Sequence, residues 1–159
     1  MNYLTSLSLT RRIPMIKIIS PKTHEDFKNY YDLRFTVLRK PWGLPKGTEK
    51  DDFEPISKHF MALDGESGQL VGVIKLMEKE KGVGWFSHMA VEEACQKKGV
   101  GKKLLAFIEE EAKRDGYTVL GCMARLNATE YFAKEGYVIM GLPSQYVGTT
   151  QVVWMQKNL

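Results

Sequence analysis

Met89-Ala90-Val91-Glu92-Glu93-Ala94-Cys95-Gln96-Lys97-Lys98-Gly99-Val100-Gly101-Lys102-Lys103 joins two different hydrophobic periods. Upstream, Gly84–Val91 has the composition of a strand. Downstream, Val100, Leu104, Ile108 and Ala112 recur every fourth residue, with Leu105 widening the stripe. Lys102, Lys103, Glu109, Glu110, Lys113 and Arg114 fill the opposite face, so the spacing predicts an amphipathic helix. Asp115-Gly116 supplies its C-cap. The turn between strand and helix carries Gly99 and Gly101. A helix start leaves backbone N–H groups without partners, and the macrodipole adds partial positive charge there. Glycines let a ligand come close to that backbone, and Lys97, Lys98, Lys102 and Lys103 add full charges. The stretch is built to receive phosphate.

Outward from this turn the chain reads as alternating short elements. Met15–Ile19 is a strand, and His24–Leu38 a helix with Phe27, Tyr30, Tyr31, Arg34 and Leu38 near helical spacing. Lys40–Gly47 is a Pro/Gly loop, followed by acidic Glu49, Asp51, Asp52 and Glu54. His59–Asp64, Leu70–Glu78 and Gly84–Val91 form an antiparallel meander through turns at Gly65–Gly68 and Glu80–Gly82. After the amphipathic helix come a buried strand (Tyr117–Ala124), a short helix (Asn127–Glu135), a strand (Tyr137–Met140) and a last edge or hairpin strand (Gln151–Gln156). The order predicts an α+β sheet with helices on its faces.

Composition agrees with one compact domain. The 159 residues are 43% hydrophobic and 26% charged, which excludes disordered, collagenous and coiled-coil classes. No apolar run reaches the roughly 18 residues of a membrane span. Cys95 and Cys122 have neither disulfide-framework nor zinc-ligand spacing, which points to a reducing, cytoplasmic setting and no metal. The net charge of +4 is too small and too clumped for a nucleic-acid stripe. Residues 1–14 lack the order of a signal peptide and are expected to be an extension outside the core domain 15–159, with Met15 an alternative start.

Which phosphate the turn holds follows from what it lacks. A Walker A loop needs a glycine five residues before Gly101 and a Ser or Thr after Lys102, and a dinucleotide fingerprint needs glycine at Leu104. Gln96-x-x-Gly99-x-Gly101 instead resembles the acetyl-CoA pyrophosphate motif of the GNAT acetyltransferase superfamily. The resemblance extends over Ser87–Leu105, Ala124–Ala128 and Lys134–Tyr137. Tyr31–Arg34, Asp51-Asp52 and His59 are similar to the small bacterial ElaA-like acetyltransferases. It implies a mixed, mostly antiparallel twisted sheet of six to seven strands with about four helices. It also implies direct acetyl transfer from acetyl-CoA to an amine of a small molecule or peptide.

The resemblance also assigns roles. Met89 and Val91, with Ala90 between them, would offer main-chain groups to the pantetheine arm. Gln96 and the backbone of Lys97, Lys98, Gly99, Val100, Gly101 and Lys102 would wrap the pyrophosphate. Asn127 would bond the pantetheine from the other side, and Tyr131-Phe132 would lie near the sulfur. The family often reads Phe-Tyr here, so this chain has the pair reversed, and one residue turns a helical side chain by about 100°. Tyr131 is the candidate acid for the leaving thiolate. A thiol pKa near 8.5 makes such help optional.

The acceptor amine must shed a proton, and His88 on the strand before Met89 is a candidate base. Its alternative role is a cross-strand bond. His59 reads as structural, Glu78 as a weaker base, and Cys122 as packing. Arg34, Trp42, Asp52 and Glu54 are candidates for acceptor binding, the acidic segment with Asp51 suiting a cationic substrate. That segment needs no such function if it is simply a solvated turn. The competing reading is a non-catalytic acyl-CoA-binding regulatory module. Val152-Val153-Trp154-Met155 is the expected edge for a homodimer.

Overall fold

The computed structural model describes Ile13 and residues 15–159. The expected extension at 1–14 therefore lies, Ile13 apart, outside the described residues. In chain order the elements are β1 (Ile16–Ile19), α1 (His24–Leu38), β2 (Lys58–Asp64), β3 (Leu70–Glu80), β4 (Val83–Val91), α2 (Val100–Arg114), β5 (Val119–Arg125), α3 (Thr129–Lys134), β6 (Val138–Ile139), β7 (Ser144–Gln145) and β8 (Gln151–Asn158). Single 3₁₀ turns lie at Lys40–Trp42, Glu54–Ile56, Glu93–Cys95 and Leu126–Ala128. The strands form one sheet of order β1-β2-β3-β4-β5-β8-β6, with β7 on β8. β4 and β5 run parallel, whereas β1–β2, β5–β8, β6–β8 and β7–β8 are antiparallel.

Three sequence expectations change. The sheet has eight strands because β7, two residues long, is too short to show a period. The helix expected at Asn127–Glu135 divides into a 3₁₀ turn and the six-residue α3, which makes three α-helices among the described residues. Of the two alternatives for the last strand, β8 is a hairpin partner of β7 and not an edge: it is paired with β5 along Val152–Asn158 and with β6 and β7 on its other side. Its Val152, Val153 and Met155 are buried, so this segment offers no edge to a second chain.

Contacts gather the chain into two compact units. One is the N-terminal part through Lys75 together with His88–Phe107, and the other is Leu76–Ser87 with Ile108–Leu159. In the first, α1 starts on a capping box: Asp26 N–H donates to Thr23 Oγ1, while the Asp26 carboxylate accepts from Thr23 N–H. Tyr30 of α1 packs with Met61, Val73 and Ala90. A Cβ on Gly72 of β3 would lie 2.9 Å from both Leu104 and Val100 side chains, so glycine there lets the start of α2 rest on the strand.

α2 buries Val100, Leu104, Leu105, Ile108 and Ala112 almost completely, as its stripe predicts. Each of its large aliphatic side chains is worth about 1.5–3 kcal/mol of burial. Gly116, at φ 82°, ends the helix, and Tyr117 N–H returns to Ala112 O at 3.0 Å. In the second unit, Phe86, Phe132 and Tyr137 form an aromatic trio with centroids 5.8–6.0 Å apart.

Candidate functional site

The turn between β4 and α2 is held from several sides. Glu92 N–H donates to Val71 O at 2.9 Å, and the Glu92 carboxylate caps the 3₁₀ turn through Ala94 N–H at 2.8 Å. Gln96 Nε2 donates to Val91 O at 3.1 Å, so this side chain ties the turn to the strand end. Ile13 N–H donates to Lys98 O at 3.2 Å. Lys97 and Gly99 take left-handed backbone, with φ of 62° and 92°. For a lysine this is an uncommon conformation, retained where surrounding structure demands it.

The bond from Lys103 N–H to Gly99 O, at 3.1 Å, opens α2. The N–H groups of Gly99, Val100, Gly101 and Lys102 therefore precede the helical ladder and lack intrahelical acceptors. Lys97, Lys102 and Lys103 are exposed around them, and Lys98 is half-buried. The geometry fits an anion of pyrophosphate type.

β4 changes character at His88, whose φ of 52° breaks the extended backbone just before Met89. The β4–β5 ladder pairs Val83–Trp85 with Val119–Gly121, and among the described residues its register goes no further. Met89, Ala90 and Val91 thus lie beyond the paired length of β4 on that side. The His88 ring is mostly buried, and its pKa falls to about 3. Burial is the main cause, followed by the charges of Arg34, Lys75 and Arg39. The imidazole is held neutral, which makes it a poor station for a proton.

Beneath this bend lies a buried ionic network that sequence reading only partly found. Arg34 Nη1 donates to Glu54 Oε1 at 2.6 Å and to Glu49 O at 3.0 Å, and Nη2 to Tyr30 Oη at 2.7 Å. Tyr31 Oη–H donates to the same Glu54 oxygen at 3.2 Å. Glu54 Oε2 accepts from Lys75 Nζ at 2.8 Å and from Asp51 N–H at 3.1 Å. Lys75 reaches Asp51 Oδ1 at 2.6 Å. Burial alone raises the Glu54 pKa, but the Lys75 hydrogen bond and the Arg34 charge outweigh it and hold the carboxyl well below its ordinary range.

Two expectations are corrected here. Arg34 is fully buried and bound to protein groups, and all four donors on Glu54 come from the chain itself; neither is placed to bind an acceptor. Asp52 is exposed, and Trp42 is exposed on the 3₁₀ turn after α1. Sequence reading missed Lys75. Its signal was a lysine inside Leu70–Met77, a run otherwise apolar enough to be buried on both faces. His59 is structural, as expected: Nε2 bonds Glu54 O at 2.9 Å and Nδ1 meets Tyr30 Oη at 3.0 Å. Desolvation lowers its pKa, so the ring is neutral, with Nε2–H the donor to the carbonyl.

In the second unit, Asn127 is exposed on its 3₁₀ turn. Tyr131 is exposed on α3, whereas Phe132 is buried against Phe86 and Tyr137. The reversed pair thus gives Phe132 to the aromatic core and leaves the phenol outside. Burial of part of its ring raises the Tyr131 pKa, so the hydroxyl keeps its proton at neutral pH. Burial pushes the Cys122 thiol up to about 12, which suits packing and not nucleophilic attack.

Comparison with known proteins follows the same lines. The family model of the acetyltransferase (GNAT) domain matches residues 49–159. YjcF of Bacillus subtilis (strain 168), described as an uncharacterized N-acetyltransferase, is 26% identical over 125 residues, 79% of this chain and 87% of that one. A GNAT acetyltransferase from Elizabethkingia anophelis, solved with acetyl-CoA bound, has a TM-score of 0.72 at 18% identity, over 91% of this chain and 98% of that one. Escherichia coli ElaA has a TM-score of 0.74 at 12% identity, over 91% and 99%. At such identities these structures speak for the fold. With the family model covering more than half of its length, the chain belongs to the GNAT acetyltransferase family.

Proposed function

We propose that the chain is an N-acetyltransferase that uses acetyl-CoA as co-substrate and moves the acetyl group directly to a primary amine of a small molecule or peptide. The observation that carries this reading is the row of N–H groups at Gly99–Lys102, opening α2 behind a left-handed turn and ringed by lysines. Those groups would take the pyrophosphate, and main-chain groups of Met89, Ala90 and Val91 the pantetheine. Asn127 is proposed as a further hydrogen-bonding group for that arm. The solved acetyl-CoA complex of the Elizabethkingia anophelis relative supports the co-substrate. Two free thiols, Cys95 and Cys122, suit a reducing compartment such as the cytoplasm.

In the reaction the amine lone pair adds to the thioester carbonyl carbon, the C–N bond forms, and the C–S bond breaks with its electron pair going to sulfur. Tyr131, protonated at neutral pH, is the proposed donor to that thiolate. His88 stays neutral and so brings no positive charge to meet an ammonium. Calorimetric titration with acetyl-CoA, followed by thiol release against a panel of amines, tests the proposal. Binding with amine-dependent release supports it. Binding without release from any amine supports a regulatory acyl-CoA-binding module instead, and absence of binding overturns the phosphate cradle.

A further inference from the structure

Two carboxylates share Lys75, and they are used differently. On Glu54 each oxygen already accepts two donors. On Asp51, among the described residues, only Oδ1 is engaged, by Lys75 Nζ at 2.6 Å and by Phe53 N–H at 2.9 Å. Its Oδ2 faces His88 Nδ1 at 4.0 Å, too far for a hydrogen bond, and 31% of the side chain is exposed. One oxygen is therefore clamped, and the other has no hydrogen bond among the described residues. The clamp fixes where that second oxygen points.

Position adds to this. His88, which Oδ2 faces, is bonded in sequence to Met89, one of the residues proposed to hold the pantetheine. His88 also sits at the left-handed bend of β4, and strained backbone of that kind gathers at functional sites. We propose that Asp51 is the catalytic base of the transfer, its Oδ2 accepting a hydrogen bond from the acceptor amine and taking its proton; this rests on the acetyl-transfer reading above. The amine nitrogen adds to the thioester carbon, the nitrogen-bound proton passes to Asp51 Oδ2, and the C–S bond breaks with its electrons on sulfur. Asp51 then gives the proton to water, and the thiolate is protonated to the free thiol.

The surroundings suit that cycle. A neutralised Asp51 leaves Lys75 still paired with Glu54 at 2.8 Å, so no buried ammonium is stranded while the proton is held. Across from Asp51, His88 is a worse recipient, because an imidazolium there would face Arg34, Lys75 and Arg39 from a desolvated position. The groups that set the response to pH are Lys75 on β3, His88 on β4, Glu54 in its 3₁₀ turn, and Arg34 and Tyr31 of α1 behind Glu54.

The test compares wild type, Asp51→Asn and Asp51→Glu in thiol release, with one amine that wild type acetylates, while calorimetry follows acetyl-CoA affinity. Asp51→Asn is expected to lower kcat/KM about 100-fold or more at neutral pH, the scale of a lost general base, with acetyl-CoA affinity unchanged. The deficit should narrow as pH rises toward the amine's own pKa, near 10.4 for an alkylammonium, where solvent removes the proton. A variant within about threefold of wild type, or a deficit that is the same at every pH, overturns the assignment. Should the Asn variant fail to fold, Asp51→Glu decides. The expected result is at least about a tenth of wild-type turnover with the wild-type pH shape, and a folded, acetyl-CoA-binding Glu variant without turnover overturns the assignment. Wild type that turns over beside an unaffected Asn variant removes Asp51 alone. Wild type that acetylates no amine removes the transfer reading and Asp51 with it.

Discussion

Arg34 and Glu54 meet at 2.6 Å with the guanidinium fully buried, joining the middle of α1 to the 3₁₀ turn before β2. Glu54 also takes Lys75, so one carboxylate balances two interior cations. Replacing Glu54 with Ala strands Arg34 and leaves Lys75 with Asp51 alone, and breaking a buried pair this way costs about 3–5 kcal/mol. Urea unfolding of Glu54→Ala should show a loss of that order, and a loss below about 1 kcal/mol would mean water reaches the cluster.

The same carboxylate makes the fold sensitive to acid. Its folded-state pKa lies below the ordinary 4.5, so its stabilisation is complete above that value and is lost as pH falls below it. His88 adds an earlier window. With a pKa of about 3 against an ordinary 6.5, the unfolded chain binds a proton there that the folded chain refuses, so stability falls as pH drops from about 6.5 toward 3. His88→Asn removes that titration, and asparagine tolerates the φ of 52° better than most residues do. Thermal melts of this variant should be flatter than wild type between about pH 6.5 and 4.5, where Glu54 is still silent.

Gly121 of β5 has no room for a side chain. A Cβ there would stand 2.2 Å from Trp154 Cζ2 and 2.7 Å from the Met155 carbonyl oxygen across the β5–β8 ladder. Indole could swing aside, but the backbone oxygen cannot without breaking the register. Gly121→Ala should destabilise by about 1–3 kcal/mol or more, measurable as a lower urea midpoint at unchanged slope.

The elements that could be read from sequence are those with a long period or strong punctuation. α2 shows its stripe over four turns, and α1 shows Thr23 and Asp26 at capping-box spacing. The strand-to-helix turn proposed to hold phosphate stands out in the sequence because glycines and lysines at a helix start have a direct electrostatic meaning. Strand order was not, since nothing local to Val152–Met155 says that β6 and β7 will flank it. The buried network was harder still. Arg34, Glu54 and Lys75 lie far apart in sequence, and the charge that suggests a surface is here neutralised inside. Asp51 and Glu54 look alike in a string of acids, and only their donors tell the fully engaged carboxylate from the half-engaged one.

Tyr131→Phe separates the phenol's chemistry from its packing. The ring stays, while the hydroxyl, kept protonated by a raised pKa, is removed. A thiol with an ordinary pKa near 8.5 leaves tolerably as thiolate, so the expected loss in kcat is about tenfold, below the usual span of acid catalysis. Acetyl-CoA affinity should not move. A wild-type kcat in the Phe variant would take Tyr131 out of the mechanism.

Gly101→Val tests the phosphate cradle itself. Gly101 stands in the first turn of α2, two residues before the Lys103 N–H that makes the first ladder bond to Gly99 O. Its own N–H is one of the four expected to face the pyrophosphate, and a branched side chain there brings bulk to the surface that glycine leaves open. Losing one charge-assisted amide bond corresponds to about 1.5–3 kcal/mol, or roughly 10- to 100-fold in affinity. Calorimetry with acetyl-CoA and with CoA alone should show the same loss for both, because the contact is with phosphate and not with the acetyl group. An affinity equal to wild type for either ligand would move the pyrophosphate away from the start of α2, and a loss confined to acetyl-CoA would move Gly101 to the thioester end.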